Sequence, residues 1–119
     1  MHIAVVLDCA DPEGLAQFWA EALGYRRQPL QEPYLMLLPV QRGAGPQLAL
    51  QRVPEPKVGK NRMHIDLHVE DVEGEVARLV ALGATRRSGA LVEVGFRWVV
   101  LTDPEGNEFC VVGRGGERS

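Results

Sequence analysis

The chain repeats itself. The segment His2-Ile-Ala-Val-Val-Leu-Asp-Cys-Ala-Asp-Pro-Glu-Gly, continuing as Leu15-Ala-Gln-Phe-Trp-Ala-Glu-Ala-Leu-Gly24, has a counterpart downstream. That counterpart is His64-Ile-Asp-Leu-His-Val-Glu-Asp-Val-Glu-Gly, continuing as Glu75-Val-Ala-Arg-Leu-Val-Ala-Leu-Gly83. Each copy reads as an apolar strand, an acidic turn and a helix closing on Leu-Gly. The period is about 60 residues, too long for the repeats of roughly 20–50 residues that build solenoids. It is half of a 119-residue chain, so it predicts a duplicated half-domain inside one domain of ordinary size.

The helices carry physical signatures. Asp11 is placed to cap the first, with Pro12 at the first helical position, where a missing N–H costs nothing. Leu15, Phe18, Trp19, Ala22 and Leu23 form an apolar stripe at helical spacing, and Gly24 is the expected left-handed stop. In the second helix Asp71 is the cap, Val72, Val76, Leu79, Val80 and Leu82 supply the apolar side, and Gly83 stops it.

Strands are predicted from residue 2 in the first half, then over Tyr25 to Gln28, Tyr34 to Val40 and Gln47 to Val53. In the second half they fall at His64 onward, Thr85 to Arg87 (with continuation to Val94 as the alternative), Phe96 to Thr102 and Glu108 to Val112. Each half is therefore βαβββ, and the fold class is α+β. The halves span about 1–53 and 62–113. The polar, Pro- and Gly-bearing segment 54–61 links them, and 114–119 reads as a frayed tail. Asp103-Pro-Glu-Gly-Asn107 is a turn, with Glu105 and Asn107 in structural roles.

Three segments together resemble the vicinal-oxygen-chelate superfamily of glyoxalase I, bleomycin-resistance proteins and extradiol dioxygenases, and within it the glyoxalase-like domain subgroup. They are Asp11-Pro-Glu-Gly-Leu-Ala-Gln-Phe-Trp with Leu23-Gly24, Met63-His-Ile-Asp-Leu-His-Val, and Leu101-Thr-Asp-Pro-Glu-Gly-Asn-Glu-Phe-Cys-Val-Val112. The resemblance implies that the two halves curl into a half-open barrel around a cavity. It also implies a divalent metal in enzymatic members, held by one side chain from the first and last strand of each half.

Carried over residue by residue, those four ligand positions fall on Ala4, Ala49, His64 and Cys110, the last where metalloenzymes carry Glu. Alanine offers no donor atom, so no residue is assigned as a metal ligand and no cofactor is expected. A divalent metal such as zinc, nickel, iron or manganese is the less favoured alternative. A His64/Cys110 pair joined by His2 or Asp66 would be chemically acceptable for zinc. However, the strand rise separates His64 and Asp66 by about 6.5 Å.

Strand parity supplies the remaining candidates. His64, Asp66 and His68 share a face, as do His2 and Asp8 with Ala4, Gln47 and Gln51 with Ala49, and Glu108 with Cys110. His64, Cys110 and Asp66 are the catalytic candidates. His2, Asp8, Gln47, Gln51, His68, Trp98 and Glu108 are the ligand-binding ones. Plainer roles stand beside these. His64 reads equally as a hydrogen-bonded cavity histidine, Cys110 as a small buried hydrophobe, and Asp66 and His68 as partners of Arg97 or Arg62. Trp98 shares its side with Phe96 and Val100, either lining the cavity or packing under a helix.

A net charge of −3, from 13 basic and 16 acidic residues, argues against a nucleic-acid partner and an anionic membrane. No apolar run approaches ~20 residues and no signal peptide is read at the start, so a cytoplasmic location is expected, with Cys9 and Cys110 free. By resemblance a homodimer is expected. Three functions remain open, in this order. The first is metal-independent binding of a small molecule, as in bleomycin-resistance proteins. The second is a lyase- or isomerase-type enzyme using His64, with Asp66 or Cys110. The third is a metalloenzyme with an altered ligand set.

Overall fold

A computed structural model describes residues 3–41, 43–61 and 63–115. The chain divides into two compact units, Met1–Val58 and Gly59–Ser119. The first contains β1 (Ala4–Cys9), α1 (Pro12–Leu23), β2 (Tyr25–Arg27), β3 (Tyr34–Pro39) and β4 (Gln47–Arg52). The second contains β5 (Ile65–His68), α2 (Val72–Leu82), β6 (Thr85–Arg86), β7 (Leu91–Glu93), β8 (Phe96–Thr102) and β9 (Glu108–Arg114).

The duplication is visible in the topology. The first sheet runs β1-β4-β3-β2, and the second runs β5-β9-β8-β6 with β7 also on β8. In each unit the first strand lies parallel to the last, β1 on β4 and β5 on β9, and the other pairs are antiparallel. Both sheets are open, and neither closes into a barrel.

Each helix covers one face of its sheet. On α1, Leu15, Ala16, Phe18, Trp19 and Ala22 are buried, with the Phe18 and Trp19 rings meeting edge to face at 5.1 Å. They pack over Leu35, Leu37, Leu48 and Leu50, which alternate with outward residues along β3 and β4. On α2 the buried stripe is Val72, Val76 and Leu79, over Val99, Leu101, Phe109 and Val111. Val80 departs from the expected stripe and is 43% exposed. One step of about 100° beyond Leu79 carries it off the face that the sheet covers.

The two acidic caps behave differently. Asp71 accepts a hydrogen bond from the Gly74 N–H at 3.0 Å, whereas Asp11 forms no side-chain cap bond. Pro12 already removes one of the first-turn donors in α1.

The strand expected over Thr85 to Arg87 with continuation to Val94 is interrupted, giving β6 and β7 on the same edge of β8. Ser88 explains the break. Its hydroxyl accepts from the Val100 N–H at 3.0 Å, so a side chain takes a place that backbone would fill in a continuous ladder. β7 then turns into β8 through Val94 and Gly95, both at positive φ, 53° and 79°. β9 extends past the expected end at Val112 to Arg114, because Arg114 still pairs with Phe96.

The Asp103 turn sets the register of β9. Asp103 is 2% exposed, and its Oδ1 accepts from the backbone N–H groups of Glu105 and Asn107, each at 2.9 Å. The Asn107 amide donates to both carboxylate oxygens. With this turn closed, Val100 stands opposite Cys110 and Trp98 opposite Val112. Among the described residues, no helix is long and apolar enough to cross a membrane.

Candidate functional site

The face of the second sheet away from α2 is built by alternation. β5 places Asp66 and His68 there, β9 places Cys110 and Val112, and β8 places Phe96, Trp98 and Val100. The parallel register pairs Asp66 with Cys110 and His68 with Val112. A cleft of about 450 Å³ opens on this face, lined by those residues together with Lys60, His64, Glu93 and Val94. Trp98 lines this cleft, on the face of the sheet away from α2. The cleft walls are largely apolar with a few polar groups, His64, Asp66 and Cys110 toward Val100 and His68 and Glu93 toward Phe96, the usual make-up of a small-molecule site.

Asp66 is the centre of the group toward Val100. Its Oδ1 lies 3.2 Å from His64 Nε2, and its carboxylate also takes a hydrogen bond from the Cys110 thiol. One donor atom from each of His64, Asp66 and Cys110 falls within 4.8 Å of the other two. His64 precedes β5 and so escapes strict strand geometry. That is why its ring reaches Asp66 despite the separation expected from the strand rise. The His64–Asp66 pair is close to half exposed on both sides, so its value is conformational more than energetic.

Cys110 is buried, and burial first, then the neighbouring Asp66 carboxylate, pushes its thiol up from 9.0 to about 11. At neutral pH it is a protonated hydrogen-bond donor. This favours the plainer reading of Cys110 over that of an ionised nucleophile.

The other candidates divide by unit. His68 stands in the cleft with its ring edge-on to Phe96 at 6.4 Å. Glu108 lies on the Cys110 side of β9 and pairs with Lys60 at 3.6 Å. Asp66 and His68 do not take Arg97 as partner. Arg97 points to the opposite face of β8, where its guanidinium lies 3.8 Å from Glu73 of α2. Asp8, Gln47 and Gln51 stand on one face of the first sheet, with Asp8 opposite Gln51 and Ala4 opposite Gln47. Gln47 lines a separate groove of about 540 Å³ with Arg26, Leu38 and Val40. His2 and Arg62 lie outside the described residues.

Lys60, Glu93 and Val94 were not foreseen. Lys60 belongs to a segment that reads as a linker. Glu93 and Val94 enter through the β7–β8 hairpin, whose Val-Gly turn carries no ordinary hairpin signature.

Residues 4–112 match the model of the glyoxalase-like domain family. The chain belongs to that family. No curated protein matches the sequence. Several solved structures share the fold of this glyoxalase-like domain at low identity. A hypothetical protein, SA1046 from S. aureus, superposes with a TM-score of 0.74 at 20% identity, covering 95% of this chain and 93% of that one. A glyoxalase/bleomycin resistance protein/dioxygenase family enzyme from Burkholderia phytofirmans PsJN gives 0.77 at 16%, covering 94% and 97%. The genomically encoded fosfomycin resistance protein FosX from Listeria monocytogenes gives 0.76 at 15%, covering 98% and 94%. The fold is thus shared with a resistance protein and with an enzyme.

The four-ligand metal site that the resemblance implies does not fit this glyoxalase-like domain. Ala4 heads β1 and Ala49 stands in the middle of β4, paired with Val6, and neither has a donor atom.

Proposed function

We propose that this glyoxalase-like domain binds a small, partly aromatic, oxygen-bearing molecule in the cleft of its second unit, without the four-ligand metal site. The observation that carries this reading is the cleft itself: Phe96, Trp98, Val100 and Val112 offer apolar and aromatic surface beside the hydrogen-bonding group of His64, Asp66 and Cys110. Aromatic walls bury the flat part of a ligand, and a few convergent polar groups orient its oxygens. The two alanines at ligand positions and the protonated thiol both favour binding over metal or thiol chemistry.

The two halves act as one domain over 1–113, as a homodimer in the cytoplasm. The unbridged Cys9 and Cys110 suit a reducing compartment. The net charge of −3 suits a small-molecule partner in preference to nucleic acid.

The His64–Asp66 pair supports a second reading, an acid/base lyase or isomerase, because a carboxylate at 3.2 Å orients an imidazole for proton transfer. A thermal-shift screen of small aromatic and oxygenated compounds separates the two. The binding reading expects a stabilising compound that is recovered unchanged and whose shift is lost in Trp98→Ala. A compound consumed by the wild type, and still bound but not consumed by His64→Ala, would replace it with the enzyme reading.

A further inference from the structure

We propose that Glu93 is a specificity-determining residue of the cleft, selecting molecules that carry an ammonium group on an aromatic frame. This names a ligand class for the site and rests on the binding reading above.

Register fixes where Glu93 stands. β7 pairs antiparallel with β8, setting Glu93 directly opposite Phe96 and Leu91 opposite Trp98, so Glu93 shares the face of both aromatic rings. Cβ atoms directly opposite in such a pair are about 5 Å apart, and diagonal neighbours about 7–8 Å. The backbone thus holds the carboxylate beside Phe96 and within reach of whatever lies on Trp98.

Charge comes next. The ion pairs of the second unit use Asp66, Glu73, Glu75 and Glu108, and among the described residues none reaches Glu93. The other charges on this face are engaged or stand elsewhere. Lys60 pairs at 3.6 Å with Glu108, which stands opposite Thr102 at the far end of β8. Asp66 holds His64 and the Cys110 thiol. Arg114 stands opposite Phe96 in β9, but it lines a neighbouring hollow with Glu70 and not the cleft. An ammonium placed between Glu93 and the rings gains an ion pair on one side and the ring quadrupole on the other. A neutral group gains neither, and an anion is repelled.

The ends of the cleft fit this division. Phe96 and Val100 are four residues apart on β8, about 13 Å. The ammonium at Glu93 and the oxygens at His64, Asp66 and Cys110 therefore belong to opposite ends of one ligand. Val94, next to Glu93 on the cleft rim, is 86% exposed and holds φ 53°. Such a conformation in an exposed β-branched residue has no core packing behind it, and supports a segment shaped for a ligand.

Titration of the isotope-labelled full chain with tyramine, tyrosol and para-hydroxyphenylacetate, followed by amide NMR shifts, tests the proposal. The three share a phenol and end in an ammonium, a hydroxyl and a carboxylate. Tyramine is expected to bind roughly five- to tenfold more tightly than tyrosol, and the carboxylate most weakly, with shifts over β7 to β9. In Glu93→Gln tyramine falls to the tyrosol level while tyrosol is unchanged. In Asp66→Asn the preference for tyramine persists. Equal affinities for tyramine and tyrosol in the wild type overturn the proposal. So does a preference that survives Glu93→Gln, or no saturable tyramine binding up to its solubility limit. The two readings fail separately: binding in the cleft without regard to charge refutes only the selection by Glu93, whereas shifts confined to the first unit refute the binding reading itself.

Discussion

Replacing Asp66 by Asn should make Cys110 more reactive, although the substitution leaves the thiol itself untouched. In the wild type, burial is the largest cause holding the thiol at about 11, and the charge and hydrogen bond of Asp66 add to it. A thiol at about 11 instead of 9.0 is roughly a hundredfold less ionised at pH 8, about one part in a thousand against about one in ten. Asn removes the charge but not the burial. The midpoint should therefore fall, yet stay above 9.0, and alkylation at pH 8 should quicken severalfold but less than about a hundredfold.

The assay is the pH–rate profile of iodoacetamide modification in a Cys9→Ala background, so that a single thiol reports, with metal removed. The sign of the stability effect follows. The folded value lies above the unfolded one, so the protonated thiol contributes stability that is complete below about 9 and is lost as pH rises through about 11. A parent midpoint at or below 9.0, or one that Asp66→Asn leaves in place, would refute the reasoning.

Three further outcomes follow from single positions. Val94→Asn should raise stability by about 1 kcal/mol, measured as a higher Tm. Val94 holds φ 53° while 86% exposed, so Asn relieves the left-handed strain at little cost in burial. Gly113→Ala should cost about 1–3 kcal/mol in urea unfolding, because the added Cβ would meet Val72 Cγ2 at 2.6 Å and the Val69 carbonyl oxygen at 3.0 Å. Asp71→Ala should cost about 1 kcal/mol in the same assay through loss of the Gly74 cap.

Much of the fold was legible because its signals are local and repeated. Asp-capped helices ending in Leu-Gly, alternating strands and the Asp103 turn each have a short-range cause, and the duplication gives two readings of each. What escaped depends on partners distant in sequence. Asp11 and Asp71 look equivalent, yet one forms a cap bond and the other does not. Ser88 breaks an edge strand by reaching Val100 across the sheet, which no local pattern announces.

The site was half legible for the same reason. Parity put Asp66 with His64 and His68, and Glu108 with Cys110. The parallel pairing that sets Asp66 opposite Cys110 joins strands more than 40 positions apart. Distance along an ideal strand misjudged His64 because it stands one residue before β5 begins. Arg97 was a plausible partner for Asp66 until the register of β8 turned it toward α2.

Tryptophan fluorescence offers the most direct measurement of ligand binding in the cleft. The chain has two tryptophans; Trp19 is 1% exposed in the first unit's core, whereas Trp98 lines the cleft. A compound that stabilises the protein should change the emission saturably in the wild type, and the change should disappear in Trp98→Phe while persisting in Trp19→Phe. A compound shown by calorimetry to bind, with the emission of Trp98 unaltered and its affinity unchanged in both His64→Ala and Trp98→Phe, would place the binding site elsewhere and contradict the account.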